Sequence, residues 1–375
     1  MKTLAVLVLA ALLRQGEEET VALTNLRIIP VTKGVIESGT IVIKGGKILA
    51  VGADVKPPAG ARIVDGKGLV AFPGLVHPYS RLGLPDGPSA VGVTPQHLAY
   101  DELNPTSDAG AQAARSGVTT FVLQPLGSGI AGQAAAMKPS GWTREEQVIE
   151  KSAALRIQLL PGSAGKEALR QALEAGKKAI EGEKKSPPAK ADDKTAILAK
   201  FLKGELPGLV EVPGPGELLH FWQVMEPYAE FKPRLAYVGS PEIYKAAAEL
   251  GSRKSRVVLR PMVALAPFTR ERINTAAELV KAGVEVAFAP MSDSPEALQG
   301  CLFRVAELVK FGLPREAALR AVTIVPAAIA GIDKRVGSIE AGKDADLLLF
   351  SGDPLSTQSR LREVYINGTS VYRGE

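Results

Sequence analysis

Residue types that could bind a metal ion or activate a water molecule are scarce in this chain. Its 375 residues include three histidines, His77, His97 and His220, and a single cysteine, Cys301. Protein sites for zinc are built mostly from histidine and cysteine side chains. Three dispersed histidines cannot form a four-histidine site, and one cysteine excludes both a cysteine cluster and an internal disulfide bond. These counts exclude a four-histidine site and a cysteine cluster; no residue is assigned as a metal ligand, and no cofactor is expected.

Several other polar residues follow apolar runs that are typical of strands. Tyr79 and Arg81 end the run GLVHPYSRLG, Glu211 lies in GLVEVP, and Asp293 follows VEVAFAP in the string MSDSP. Side chains two residues apart on a strand point to the same side, so Tyr79 and Arg81 are expected to face one space. An arginine offers only donors and cannot ligate a metal ion. Because a buried guanidinium needs an acidic partner, we expect Arg81 to pair with a carboxylate.

The elements that must position these residues are alternating strands and helices. Seven apolar runs alternate with helical segments: GLVHPYS, TTFVLQP, RIQLLPG, GLVEVP, RLAYVG, RVVLRP and VEVAFAP. Such alternation indicates parallel strands joined by helices, and an eighth, unplaced strand would close a barrel. Both chain ends read instead as short strands with the hairpin signals Gly45-Gly46 and Asn367-Gly368. The predicted fold is α/β: a TIM-type (β/α)8 barrel with a small β-sandwich domain formed from both chain ends.

The predicted boundaries also include an N-terminal export segment. Residues 1–19 read as a signal peptide and linker, because Lys2 precedes an apolar run too short to span a bilayer. Residues 20–72 and 334–375 form the two parts of the β-domain, and residues 73–333 form the barrel. The expected location is the bacterial periplasm. A net charge of +5 without a basic, aromatic stripe argues against nucleic-acid binding.

Particular strings resemble the amidohydrolase superfamily, and its imidazolonepropionase-like branch most closely. The segment VDGKGLVAFPGLVHPYSRLGL is similar to the family motif PGLIDxHxHLG, and VGSIEAGKDADLLLFSGDP is similar to the family's C-terminal signature. Further similarity runs through DELNP, ARSGVTTFVLQP and LPREAALRAVTIVPAAIAGI, so the resemblance covers nearly all of residues 20–375. It implies a barrel whose chemistry lies at the C-terminal mouth.

The resemblance also implies what has changed at that mouth. Tyr79 and Arg81 take the positions of the HxH pair, while Glu211 and Pro213 take those of a second histidine pair. The resemblance therefore makes Glu211 the expected partner of the Arg81 guanidinium. His77 stands where the family has an acidic residue before HxH. It is expected to be either a lone metal ligand or general base, or a structural histidine. His97 is expected in a loop near the mouth, Lys138 at a lysine position near the mouth, and Asp293 as a relic of the family's general base. His220, beside Phe221 and Trp222, is expected to serve packing.

Two functions follow from these positions. The favoured one is a catalytically degenerate member that binds a small-molecule ligand or a partner subunit, as a homo-oligomer or beside an intact homologue. The alternative is an active hydrolase of carbon–nitrogen bonds, including non-peptide and dipeptide amides. It would work without a metal through Asp293, His77 and Tyr79, or with a weakly held ion on Asp293, Glu211 and Lys138. Fold similarity alone supports this second reading.

Overall fold

A computed structural model describes residues 19–86, 90–159, 162–185, 190–266 and 268–374. The predicted export segment lies outside these ranges except for Glu19. Within them, no helix is both long and apolar enough to cross a membrane.

The described chain contains nineteen strands, twelve α-helices and two 3₁₀ helices. The strands are β1 Val21–Ile28, β2 Ile36–Lys44, β3 Lys47–Gly52, β4 Arg62–Asp65, β5 Val70–Pro73, β6 Leu75–Ser80, β7 Ala90–Val93, β8 Val118–Leu123, β9 Gly127–Met137, β10 Val148–Gln158, β11 Gly208–Val212, β12 Leu235–Gly239, β13 Arg256–Leu259, β14 Ala264–Leu265, β15 Arg272–Ile273, β16 Glu285–Phe288, β17 Leu347–Phe350, β18 Leu361–Ile366 and β19 Thr369–Arg373. The α-helices are α1 Ala99–Glu102, α2 Asp108–Arg115, α3 Arg144–Gln147, α4 Gly162–Glu183, α5 Asp193–Leu202, α6 Pro215–Met225, α7 Ala247–Ser252, α8 Thr275–Lys281, α9 Pro295–Gln299, α10 Cys301–Lys310, α11 Arg315–Ala321 and α12 Ile324–Ile329, and the 3₁₀ helices are Glu226–Phe231 and Pro241–Ala246.

The larger sheet is a nearly closed barrel of mixed strand direction. Its strands follow the order β16, β13, β12, β11, β10, β9, β8 and β6, and β7 pairs with β9. The two strands at the ends of this order, β16 and β6, contact each other without forming a hydrogen-bonded ladder. All seven apolar runs that predict barrel strands contribute to this sheet. The eighth strand of the path is β9, which runs antiparallel to both β8 and β10 and so differs from the expected all-parallel arrangement.

Along each of these barrel strands, successive side chains face alternately the inside of the barrel and the surrounding helices. Leu209, Ala236 and Val258 belong to a cluster that lines the inside, whereas Val210, Tyr237 and Val257 pack into the larger core with the surrounding helices. This is the two-residue period expected of a strand that is buried on both faces. Helix α12 packs against β6, β13 and β16, and its apolar side chains join the inner cluster.

The smaller sheet combines strands from both chain ends. It has eight strands in the order β19, β18, β17, β5, β1, β2 and β3, with β4 also paired to β1. Hydrogen bonds between β17 and β5 join the C-terminal part to the N-terminal part, which makes one continuous sheet. Gly74 alone separates β5 from β6, so the first barrel strand continues directly from this sheet.

Candidate functional site at the barrel mouth

The carboxyl ends of β6, β8, β10, β11, β12, β13 and β16 lie at one end of the barrel, which we call the mouth. Two groups of polar side chains meet there. The arginine cluster consists of Tyr79, Arg156 and Glu211, and the aspartate cluster consists of His77, Ser80 and Asp293.

An irregularity at the end of β6 separates the two clusters. His77 pairs in register with Phe121 of β8 and Ser80 pairs with Leu123, so three steps on β6 match two on β8. An extra residue of this kind is a β-bulge, which re-aims the side chains around it. Tyr79 consequently packs against the inner cluster of the barrel, while the fully buried His77 turns toward Asp293.

In the arginine cluster, one carboxylate oxygen accepts two hydrogen bonds. Glu211 Oε2 accepts from the Tyr79 hydroxyl at 2.8 Å and from Arg156 Nη2 at 2.9 Å. Arg156 Nη1 donates to the backbone oxygens of Pro125 at 2.7 Å and Gly127 at 2.8 Å. The Arg156 side chain is 11% exposed. The guanidinium group is thus held by a carboxylate and two carbonyls at the mouth.

Burial at the mouth keeps the Tyr79 phenol protonated. Burial disfavours the charged phenolate and is the largest cause that raises the pKa of Tyr79 to about 12; the nearby Arg156 opposes the shift and Glu211 adds to it. Arg156 also lies near the face of the Tyr79 ring, 5.8 Å from its centroid. At neutral pH, Tyr79 is therefore a hydrogen-bond donor to Glu211.

The aspartate cluster joins the loop after β16 to the end of β6. Asp293 Oδ1 lies 2.9 Å from His77 Nε2 and accepts from the Ser80 hydroxyl at 3.1 Å. Its Oδ2 accepts from the Arg81 backbone N–H at 2.7 Å. Desolvation acts to raise the pKa of Asp293, but the hydrogen bond and charge of His77, together with these donors, hold the pKa below its ordinary value. Asp293 is therefore a residue of this loop that reaches the end of β6.

A cavity of about 260 Å³ opens beside the arginine cluster. Its wall is mainly apolar and includes Val238, Leu259 and Met262, while Tyr79, Glu211 and Arg260 provide polar groups. Pockets for small molecules are commonly apolar with a few polar groups that orient the ligand. The arrangement can accommodate a small organic molecule.

The structure corrects the expected pairing of Arg81 with Glu211. The Arg81 guanidinium donates to the backbone oxygens of Gln124 at 3.2 Å and Pro85 at 2.9 Å. Glu211 is paired with Arg156 instead. Arg156 is not among the predicted site residues because it lies inside the apolar run RIQLLPG. The only sequence signal for it is a charged residue inside a strand that is expected to be buried.

Lys138 also lies elsewhere than expected. It follows Met137 at the end of β9, and because β9 runs antiparallel to its neighbours, this end of the strand is opposite the mouth. There its ammonium group lies 2.8 Å from carboxylate oxygens of Asp344 and Asp346 beside the smaller sheet. Lys138 is therefore not a mouth residue.

The other two histidines do not join either cluster. His97 Nε2 is 3.2 Å from Glu102, and the backbone oxygen of His97 accepts a hydrogen bond from Gln133, halfway along β9. His220 is exposed on α6, with Gln223 as its side-chain neighbour. Of the expected mouth residues, Tyr79, Arg81, Glu211 and Asp293 lie there, with His77 beneath them.

The side chains of the arginine cluster do not fit a divalent metal ion. Arg156 is a fixed cation with donors only, and its guanidinium lies against the Glu211 carboxylate, donating to Oε2. Tyr79 holds that oxygen as well and remains protonated. Within the described part of the chain, no group of three or more His, Cys, Asp or Glu side chains is arranged to hold a metal ion.

Known proteins share this architecture. A family model described as amidohydrolase matches residues 248–372. A crystal structure of an amidohydrolase from Thermotoga maritima superposes with a TM-score of 0.80 at 27% identity, covering 94% of this chain and all of that one. The chain is thus similar to the amidohydrolases, by its fold over nearly its whole length and by the family model over residues 248–372.

Other similar proteins match at lower identity or only locally. An amidohydrolase of Hapsidospora irregularis is 37% identical over 83 residues, and an allantoinase of Enterococcus faecalis is 33% identical over 97 residues. These matches cover 22% and 24% of this chain but only 8% and 18% of the two curated relatives. A putative prolidase from Bifidobacterium longum shares the fold at a TM-score of 0.56 and 16% identity, over 95% of each chain.

Proposed function

We propose that this amidohydrolase-superfamily protein binds a small molecule at the barrel mouth and does not act as a metallohydrolase. The observation that carries the proposal is the contact of Arg156 with Glu211, which puts a permanent positive charge of the chain itself beside the mouth carboxylate. A second cation at this point would be repelled at short range. In this view the arginine cluster takes over structurally what a metal ion does in intact superfamily members.

The wall of the mouth cavity suggests the chemistry of the ligand. Apolar side chains such as Val238 and Met262 provide contact area, Arg260 offers a cationic group, and Glu211 an anionic one. A compact organic molecule with an apolar body and one or two polar ends is complementary to this surface.

Metal analysis and metal titration test the first part of this proposal. The purified protein is expected to contain metal well below one equivalent and to bind added zinc weakly. Arg156→Gln removes the positive charge beside Glu211 and is expected to increase zinc affinity. The control Arg253→Gln neutralises an exposed arginine at the other end of the barrel and is expected to leave zinc affinity unchanged. Stoichiometric zinc in the unmodified protein, or activity abolished by a chelator, would overturn the proposal.

The aspartate cluster supports one alternative function. Asp293 is held ionised beside His77, and a carboxylate at the end of the last barrel strand is placed to act as a general base toward a water molecule in the mouth. We therefore retain a metal-free hydrolase of carbon–nitrogen bonds as the second candidate.

Turnover of small amides, lactams and dipeptides distinguishes the two functions. The binding protein is expected to hydrolyse none of them. For the hydrolase, turnover would persist in excess chelator and be lost in Asp293→Asn, while Asp353→Asn, a surface aspartate paired with Arg315, would leave it unchanged. Turnover with that pattern favours the hydrolase; no turnover in the unmodified protein argues against it.

A further inference from the structure

A second concave surface lies at the end of the barrel opposite the mouth. We call it the basal groove; it encloses about 810 Å³ between α6, the 3₁₀ helix Glu226–Phe231 and the first residues of β12 and β13. Leu235 and Arg256 open these two strands, so the groove is separated from the mouth by the full length of the barrel strands. None of the residues of the mouth clusters lines it.

The groove is strongly basic. Five of its lining residues are basic and one is acidic: Lys232, Arg234, Arg253, Lys254 and Arg256 against Glu226. Arg256 is neutralised by Glu285, and Arg234 donates to the backbone oxygens of Gly204 and Glu205. Within the described chain, Lys232, Arg253 and Lys254 have no acidic partner within ion-pair distance. The field of these three cations is therefore directed toward solvent.

Two aromatic residues orient the donors of the groove. The Arg253 guanidinium lies 4.3 Å from the centroid of the Trp222 ring, and the Trp222 indole N–H donates to the Tyr237 hydroxyl at 2.9 Å. A cation–π contact of this kind holds the guanidinium over the ring and leaves donors available for hydrogen bonds.

Tyr237 adds an unused donor. It is 2% exposed and lines the groove, and burial raises the pKa of its phenol. Its oxygen accepts the Trp222 N–H, but its own hydroxyl hydrogen has no acceptor among the described residues. The Ser255 hydroxyl, also on the groove wall, likewise makes no hydrogen bond in the described chain.

We infer that the basal groove is a binding site for a small organic anion that carries several negatively charged oxygens, such as a phosphate ester or a polycarboxylate. Arg253, Lys254 and Lys232 supply the cations, and Tyr237 and Ser255 supply neutral donors. Charge-assisted hydrogen bonds to such oxygens are stronger than neutral ones. The exposed Leu219 and the neighbouring Met225 and Pro233 offer apolar contact to the rest of the ligand.

Calorimetric titration of the full chain with pyrophosphate and with citrate tests this inference. The double variant Arg253→Gln, Lys254→Gln is compared with Lys33→Gln, Lys67→Gln, which removes two exposed positive charges from the N-terminal part of the chain, away from the groove. We expect the unmodified protein to bind at least one of the two probes and the groove variant to bind it roughly tenfold or more weakly. The control variant is expected to keep its affinity.

A neutral change separates a built site from general attraction to positive charge. Tyr237→Phe keeps the net charge but removes a hydroxyl, and it is expected to weaken binding by roughly threefold to tenfold, with folding verified by circular dichroism. Three results would overturn the inference: equal weakening in the groove and control variants, binding only to anionic lipid vesicles or acidic peptides, or no binding of either probe. The mouth variants are expected to leave this binding unchanged, so the two proposals can fail separately.

Discussion

Glu211 holds the two neighbouring side chains of the arginine cluster in place. Its Oε2 is the shared acceptor for Tyr79 and Arg156, and its side chain is 30% exposed. Removal of one partner from a mostly buried ion pair costs far more than removal of a surface pair, because the remaining charge stays out of water without compensation. Partial exposure reduces that cost.

Replacing Glu211 with Gln is expected to lower the free energy of unfolding by about 1–3 kcal/mol. Arg156 would then keep its two carbonyl acceptors but lose its carboxylate. Denaturant titration measures the change. Glu242→Gln is the control, because Glu242 forms an exposed pair with Lys245, and it is expected to cost less than about 0.5 kcal/mol. Equal losses in the two variants would contradict the role assigned to Glu211.

The raised pKa of Tyr79 predicts a change in stability at high pH. The phenol ionises with a pKa of about 12 in the folded protein, against 10.0 for the ordinary value. Because the folded state favours the protonated form, this stabilisation is complete below pH 10 and is lost as the pH rises toward 12. Tyr79→Phe should therefore lose less stability than the unmodified protein over that interval, as measured by thermal unfolding. The same dependence of stability on pH in both proteins would contradict this prediction.

Part of this site could be predicted from the sequence, because the family resemblance assigns positions at the mouth to Tyr79, Glu211 and Asp293, and all three lie there. The partner of Glu211 could not be predicted in this way, because which cation reaches a carboxylate depends on where neighbouring strands place their side chains. Arg156 and Glu211 come from β10 and β11, where Gln158 pairs in register with Glu211, and the chain pattern alone does not give that register.

At the scale of elements, β9 is the strand that the sequence hides. Its sequence GSGIAGQAAAM is rich in glycine and alanine, which are depleted in strands. Small side chains suit it nevertheless, because β7 and the segment containing His97 lie close against it. Its antiparallel direction places Lys138 at the opposite end from the mouth, which explains why a lysine expected at the mouth lies elsewhere.

Gly129 on β9 is expected to be intolerant of a side chain. Its φ is +81°, and a Cβ atom there would lie 2.4 Å from the backbone oxygen of Gly92. Gly129→Ala is expected to cost about 2–4 kcal/mol, since backbone strain and a steric clash add together. Gly60→Ala tests strain alone, because Gly60 has φ +79° with no atom near the added Cβ, and it is expected to cost about 1 kcal/mol. Indistinguishable losses by denaturant titration would show that the contact with β7 does not matter.

At the scale of the whole molecule, one buried charge network joins the barrel to the smaller sheet. Lys138 extends from the end of β9 to Asp344 and Asp346, just before β17. Asp346 Oδ1 also accepts the backbone N–H of Asn367, which lies in the turn between β18 and β19. Burial raises the pKa of Asp346, whereas Lys138 and the outer cations Lys47 and Arg335 outweigh burial at Asp344 and lower its pKa. The sequence identifies the string GKDADLLL as distinctive, but only the fold shows that it receives a lysine from the barrel.

Lys138→Met is accordingly expected to destabilise the whole protein by about 3–5 kcal/mol at neutral pH, because two buried carboxylates lose their common cation. The pKa of each carboxyl in the folded variant would then rise. The loss of stability should therefore be small below the ordinary aspartate pKa of 3.8 and grow as the pH rises through the raised pKa values.

Lys47→Met is the matched control for Lys138→Met. Lys47 contacts the same Asp344 but its side chain is 47% exposed, so a loss under about 1 kcal/mol is expected. Denaturant titrations at acidic and neutral pH measure both variants, and a Lys138→Met deficit that does not change with pH would show that lost packing, and not uncompensated charge, is the cause.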